Sequence, residues 1–530
     1  MKKILFLTLV LIAAVSFART PEEKSGTINI LKTLRGESEG MDSEILAQKR
    51  ITRPSLPYQY DTPEGNFKIH YTLSGGDAID SVGYAHKIGD YMEHCWSVFT
   101  DSMGYLPPPS DGALGGDGRY DVYLKNISAY GLTYPGTAGS YPWDNLISYI
   151  EIENDFDGFY PNDDPDGPVA GAMRVTVAHE LHHAFQFGLY GSCAAWIAEM
   201  SSVAMEERLY PLVNDYVWLI DYMLDAPEMP LNYGMGYRMY GMGLYAQYWN
   251  MVYGDGFLAT VWDTMRILPD EAAVFAACEL YSTELVEDLA DFAAQALFVG
   301  SRNSGFFPDG EDLSDMSVSR THTSYPAMGN PSPQPYGYGM SFTIFENIGS
   351  APVDMAINFD GADGIDWAVR AIWKNGDSTV VFPIPIGDFA SGEIRVPFAN
   401  EAEMIGLAVV PDGGWTSRYN YSYSASLVPC SVGERVAPER IALRTSPNPF
   451  NSAVSISIDG HNTPIDAIQI YDISGRLVDA IELQLKGSPA DDSRSSCFEA
   501  VWVPKDALPS GVYYVRLPEL RISKPVLLMK

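Results

Sequence analysis

Apolar and polar side chains alternate from Asn66 to Leu73 (Asn-Phe-Lys-Ile-His-Tyr-Thr-Leu), the period of a half-buried strand. From Ser81 to Met103 the apolar positions instead recur every three or four residues, which predicts a helix. Strand character returns at Tyr120-Asp-Val-Tyr-Leu124 and Ser148-Tyr-Ile-Glu-Ile152, and helical spacing recurs over residues 173–188, 194–210, 237–253 and 271–299. Interleaving of this kind predicts one α+β domain over residues 65–310. Residues 301–325 are rich in Ser, Asp and Gly and residues 330–339 in Pro, Gly and Tyr, which marks a boundary and a linker. Short apolar runs then recur between Gly, Asn and Asp turns, such as Ser341-Phe-Thr-Ile-Phe345, Val353-Asp-Met-Ala-Ile357 and Ile405–Val410. They predict a β-sandwich over residues 326–432. Ala453–Ile458, Ala467–Tyr471 and Val512–Leu517 predict a second all-β, immunoglobulin-like domain over residues 440–530. The expected fold class is multidomain, an α+β domain followed by two all-β sandwich domains.

The N-terminus has the three regions of a secretory signal peptide over residues 1–18: Lys2-Lys3, the apolar run Ile4–Val15, and the small-residue exit Ser16-Phe17-Ala18. That run is shorter than the ~20 residues of a spanning helix, and no later apolar stretch reaches that length, so no transmembrane segment is expected after signal removal. Residues 19–64 are polar, carry Lys49-Arg50, Pro54 and Pro57, and lack apolar periodicity. They read as a leader or propeptide, with a partly ordered N-terminal arm as the alternative.

Length and charge narrow the partners. A chain of 530 residues exceeds what one core supports, and 46% hydrophobic with 19% charged residues describes globular domains. Lys and Arg total 34 against 68 Asp and Glu, a net charge of −34 that repels a phosphate backbone, so nucleic acid is excluded as a partner. The five cysteines are widely spaced and form no C-x-x-C pair, so disulfides are not the scaffold.

The chemistry concentrates in Val177-Ala-His-Glu-Leu-His-His-Ala-Phe-Gln186, an H-E-x-x-H pattern in a helical run. Residues four apart on a helix lie one above the other, so His179 and His183 can present two imidazoles to one metal ion. Glu180 beside them can reach a water held by that metal, which is the arrangement of a zinc metallopeptidase. A catalytic zinc takes a third protein ligand. Glu199 is the candidate, on a following helix among Ala, Ile, Met and Trp, and Glu206 two turns further is the alternative; Glu207 is expected to be exposed. For the oxyanion, Tyr240 is the candidate donor among Tyr237, Tyr240 and Tyr245. The acidic loop from Asn154 to Asp166 offers hard oxygen ligands for Ca²⁺ without EF-hand spacing, against the simpler reading of a solvated turn.

His179-Glu180-x-x-His183 with Trp196-x-x-Glu199-x-x-Ser202 resembles the gluzincin type of zinc metallopeptidase. With His70-Tyr71-Thr72, Asp121–Leu124 and Asn154-Asp155-Phe156, residues 65–300 also resemble a family of secreted bacterial metalloproteases. The resemblance implies a zincin-like catalytic domain, His179, His183 and Glu199 as zinc ligands, Glu180 as general base, and proteins or peptides as substrates. At the other end, Ser446-Pro-Asn-Pro-Phe-Asn451, Tyr471–Val478, Ser510–Val515 and Lys530 resemble the C-terminal sorting domain of type IX secretion. That implies the secretion machinery as a partner and a secreted or outer-surface location. A rival expectation of another class is a cell-surface binding or adhesion protein whose zinc site is structural or degenerate.

Overall fold

A computed structural model describes residues 23–37, 41–430 and, beyond these, segments between 442 and 528; the expected signal peptide over 1–18 lies outside the described residues. The first unit is built on a six-stranded sheet of β1 (Glu23–Ser25), β2 (Tyr58–Asp61), β3 (Phe67–Tyr71), β4 (Tyr120–Lys125), β5 (Ala129–Ala138) and β6 (Leu146–Glu153), in the order β1-β5-β6-β4-β3-β2. Strands β3, β4 and β6 are parallel, β5 runs antiparallel to β6, and β1 lies parallel along the outer edge of β5. The parallel strands are almost wholly buried because helices cover them.

The segment read as a leader is ordered in the described residues. It contributes β1, α1 (Thr27–Leu34) and α2 (Ser43–Ile51), and β2 pairs with β3, so a boundary at residue 64 cuts through a hairpin. The absence of periodicity there has a physical reason. α1 and α2 are short and dock through a few large side chains, Ile28, Ile30, Leu31 and Leu46, rather than through a long apolar stripe.

Helix α3 (Val82–Ser97) ends in a π-turn over Val98–Ser102, so the single helical run expected to Met103 changes pitch. The central helix α4 (Pro168–Leu189) begins with Pro168 after Gly167, whose φ is +99°. It is buried from Ala170 to Leu189 apart from Arg174, as expected of a helix apolar on nearly all faces. A five-residue turn leads into α5 (Ala195–Leu209), whose first turn is capped from a distance: Asp270 Oδ1 accepts from Ala194 N at 2.7 Å. α6 (Val217–Leu224), α7 (Arg238–Gly241), α8 (Gly243–Tyr253), α9 (Gly256–Thr264), α10 (Asp270–Leu280) and α11 (Leu285–Ala296) complete the unit. The expected long helix over 271–299 divides at Ser282, where φ is +61°.

The β-sandwich pairs a five-stranded sheet containing Asp366–Asn375 and Met404–Asp412 with a four-stranded sheet containing Val353–Gly361 and Tyr421–Pro429. Alternate residues of the 366–375 strand face two cores. Val369, Ala371 and Trp373 point between the sheets, whereas Ala368 and Ile372 join the core of the first unit, where Arg370 binds Glu287 and Asp291 of α11 at 2.5 and 2.7 Å. The segment read as a linker is therefore packed: Phe307, Leu313, Met316, Tyr338 and Met340 are buried in that shared core, and residues 320–322 and 327–329 pair into the two sheets. Its Gly and Pro content reflects tight turns against a surface rather than a free tether. In the C-terminal region two four-stranded sheets enclose a separate core around Val454, Ile456, Ile470, Trp502 and Val515. Among the described residues no helix is long and apolar enough to cross a membrane.

Candidate metal centre

The i, i+4 spacing on α4 sets His179 and His183 side by side with ring centroids 4.8 Å apart, and α5 brings Glu199 against both. Glu199 Oε2 lies 3.0 Å from His179 Nε2, and Oε1 lies 3.5 Å from His183 Nε2. Tetrahedral zinc with ligand bonds of ~2.0–2.1 Å separates its ligand atoms by about 3.3 Å, so the spacing suits a shared ion. The three side chains are buried, yet His183 Nε2 and Glu199 Oε1 have no hydrogen-bond partner. Buried polar atoms are nearly always paired. Two nitrogen and oxygen atoms orphaned side by side are what a divalent cation would satisfy, and the donor set of two imidazoles and one carboxylate suits zinc.

The outer nitrogens are committed elsewhere, which fixes the rings. His183 Nδ1 donates to Gln186 Oε1 at 2.7 Å, and the Gln186 amide is held in turn by Ala198 O and Ser201 Oγ at 3.0 and 3.1 Å. His179 Nδ1 donates to Glu206 Oε1 at 2.8 Å. Such partners leave each Nε2 lone pair directed inward and orient the ligand. Glu206, the alternative third ligand, thus stands behind His179 and not at the shared point. Burial works against a charged His179, but its hydrogen bonds with Glu199 and Glu206 and their negative charges raise it to about 10. Burial likewise opposes an ionised Glu199, yet the His183 charge and the hydrogen bond from His179 bring it down to about 2. A metal ion would substitute for the proton that His179 and Glu199 share.

Glu180 offers a carboxylate oxygen that lies, with the nitrogens of His179 and His183, in a group of ligand atoms all within 4.8 Å of one another. Its oxygens are nevertheless engaged by hydroxyls: Oε1 accepts from Ser25 at 2.8 Å, and Oε2 accepts from Thr27 at 2.8 Å and from Thr133 at 2.6 Å. Glu199, with one oxygen unpaired, is the carboxylate with a free position toward both histidines, and Glu180 stands beside them. The approach of Glu180 to β5 depends on Gly131. A Cβ at that position would meet Glu180 Cγ at 2.5 Å and Thr176 Cγ2 at 2.9 Å. We expect Gly131→Ala to displace the Glu180 side chain, lower any Glu180-dependent activity by roughly 10²-fold, and destabilise the fold by ~1–3 kcal/mol, read by rate assay and thermal melting.

The remaining candidates separate. Tyr240 is buried, its ring 6.2 Å from that of His179, and its hydroxyl donates to Ser25 O at 3.4 Å. Tyr245 points away and donates to Asp288 at 2.5 Å. His182 faces the other side of α4, between Tyr105, Ser202 and Gln186, and burial followed by the His183 and His179 charges holds it well below the usual histidine range. Glu207 is half-buried rather than exposed, and burial, with Asp309 and Glu206 nearby, pushes its carboxyl up to about 9. In the acidic loop, Asp164 and Asp166 pair with Arg174 at 2.5 Å, Asp163 accepts from Asn214 at 3.2 Å, and Asn154 donates to Ala78 O at 2.6 Å. The His179, Glu180 and His183 group is the one cluster of three such ligands among the described residues, so these loop carboxylates do not converge into a second. His70, across the sheet, binds Asp121 at 2.8 Å and stacks on Tyr123. Cys95, Cys193 and Cys278 are buried free thiols.

Sequence reasoning missed a set of residues from the N-terminal segment. Ser25 and Thr27 hold Glu180, and Lys24 binds Glu206 Oε2 at 3.0 Å and also Asp215. Their only sequence signal is a Lys-Ser-Gly-Thr run of turn-forming and polar residues, which carries no indication of partners 153 to 191 positions away.

Comparison with known families identifies one segment: residues 446–523 match the secretion system C-terminal sorting domain. No curated protein matches the chain. The tail supplies a contact with the secretion machinery, and the protein is secreted or held at the cell surface.

Proposed function

We propose that this exported protein is a zinc-dependent endopeptidase that hydrolyses peptide bonds in protein or peptide substrates, built on a zincin-like catalytic domain. His179, His183 and Glu199 would hold the metal and Glu180 would act as general base. One observation carries the reading: two buried, unpaired ligand atoms, His183 Nε2 and Glu199 Oε1, face each other at 3.5 Å beside His179 Nε2, with Glu180 adjacent. When bound, a zinc ion supplies Lewis acidity, polarising a carbonyl and lowering the pKa of water to ~7. Glu180 Oε1 or Oε2 accepts the proton of the attacking water and returns it to the amine nitrogen as the peptide bond breaks. Tyr240 would donate a hydrogen bond from its hydroxyl, keeping the proton, to the carbonyl oxygen as negative charge grows there. Glu206 and Gln186 keep the two imidazoles in register through their Nδ1 atoms.

The competing reading is a surface adhesion protein with a structural or degenerate zinc site. Structural zinc sites close with a fourth protein ligand and have no use for a base. Here a carboxylate stands next to a three-ligand set. The discriminating experiment is metal analysis of the purified protein followed by casein digestion with and without a chelator. About one zinc per chain is expected, with digestion abolished by chelation and restored by added zinc. Folded, zinc-loaded protein that leaves casein intact both as wild type and as Lys24→Glu, which unseats the N-terminal strand without removing it, supports the adhesion reading.

A further inference from the structure

The space beside Glu180 and the proposed metal ligands is filled by the N-terminal strand of the chain itself. β1 lies along β5 with Glu23 opposite Ala129 and Ser25 opposite Gly131. Without β1, β5 would be an edge strand with unpaired backbone groups, a template for adding an extended peptide. Ser25 Oγ and Thr27 Oγ1 each donate to a different oxygen of Glu180 at 2.8 Å, and the Ser25 carbonyl accepts from Tyr240 at 3.4 Å. A water that is to lose its proton to Glu180 must displace these hydroxyls.

Lys24 turns from the same strand into a pocket of opposite charge. Its Nζ binds Glu206 Oε2 at 3.0 Å, bonds Asp215, and lies 4.7 Å from the centre of the Tyr130 ring. Tyr130 also donates to Asp215 Oδ1 at 3.2 Å. The side chains of Lys24, Glu206 and Asp215 are at most 1% exposed. Withdrawing Lys24 would leave two buried carboxylates without the cation they share, a costly state that another cation relieves. The rest of the segment is held in the same way: Arg35 binds Asp270 at 2.8 Å, Lys49 binds Glu151 at 2.7 Å, and Arg53 binds Asp111 at 2.9 Å. A chain of net charge −34 also draws basic polypeptides toward it.

Resting on the peptidase reading, we propose that residues 23–27 lie in the groove a substrate strand occupies and keep the enzyme latent, and that the pocket of Glu206, Asp215 and Tyr130 is a subsite selecting a lysine or arginine side chain of the substrate. Release of the segment frees Glu180 and vacates the pocket together. The substrates are then polypeptides with a basic residue at one fixed position from the cleaved bond.

The test uses the full-length, zinc-loaded protein as wild type, as Lys24→Glu, which sets a third carboxylate into the pocket, and as Lys24→Glu combined with Asp215→Asn. Casein hydrolysis and the cut sites in a peptide library are measured. Lys24→Glu is expected to digest casein at least tenfold faster than wild type. Its cut sites should be enriched at least tenfold for Lys or Arg at one position, and the added Asp215→Asn should remove that enrichment. Should Lys24→Glu not fold, Ser25→Asp, which opposes Glu180 with a carboxylate, serves the same comparison. A wild-type chain as active as either variant overturns the latency, and hydrolysis without basic enrichment overturns the subsite. No hydrolysis by any zinc-loaded variant overturns the peptidase reading itself, and this proposal with it.

Discussion

Glu180→Gln is expected to lower peptide hydrolysis by roughly 10²–10⁴-fold while the protein keeps its zinc. The amide is nearly isosteric: with its oxygen at the Oε2 position it still accepts from Thr27 and Thr133, and its NH2 at the Oε1 position donates to Ser25 Oγ, whose hydroxyl turns to accept, so the fold is retained. What is lost is a proton acceptor beside the two histidines. Because the Glu180 oxygens are engaged by the N-terminal segment, the comparison belongs in a background where that segment is displaced, such as Lys24→Glu. Equal rates with and without Glu180→Gln in that background would remove Glu180 from the chemistry.

The second large effect is expected from Glu199→Ala. This change removes one of three proposed ligands and leaves His179 Nε2 and His183 Nε2 facing a void in a buried site. Zinc content should fall from about one per chain to near zero after dialysis, and hydrolysis should fall with it, because the open position alone cannot anchor the ion. Glu206→Ala is the informative partner. Glu206 reaches His179 through Nδ1, so its loss should weaken zinc binding by roughly 10–100-fold without abolishing it. The reverse ranking, with Glu206→Ala losing the metal and Glu199→Ala retaining it, would exchange their roles.

How much of this was legible in the sequence follows from the range of the interactions involved. His179 and His183 could be read because helical geometry alone joins residues four apart. The placement of Glu199 against them could be read because a carboxylate among Ala, Ile, Met and Trp on the next helix needs a partner. β5 could not, since Gly131, Pro135 and Gly136 erase the strand signature. The structure supplies their reasons: a Cβ at Gly131 would strike Glu180, and one at Gly136 would meet Ile147 at 2.5 Å. The contacts of Lys24, Ser25 and Thr27 with Glu206, Asp215 and Glu180 were equally hidden. A short polar segment has no periodic face, and its partners on α4, α5 and the loop before α6 are set by tertiary structure. The segment over 301–339 was misread for a related reason, because turn-forming residues describe local geometry and not whether the turns are packed. The sorting tail, by contrast, could be recognised from Ser446-Pro-Asn-Pro-Phe-Asn451 and the short strands after it, and the family match covers that segment.

Zinc X-ray absorption on the purified full-length protein tests the centre most directly. The account expects about one zinc per chain, bound by two imidazole nitrogens and one carboxylate oxygen at ~2.0–2.2 Å with no sulfur, and one nitrogen fewer in His183→Ala. A chain that binds no zinc, or a zinc shell unchanged by His183→Ala, would contradict it.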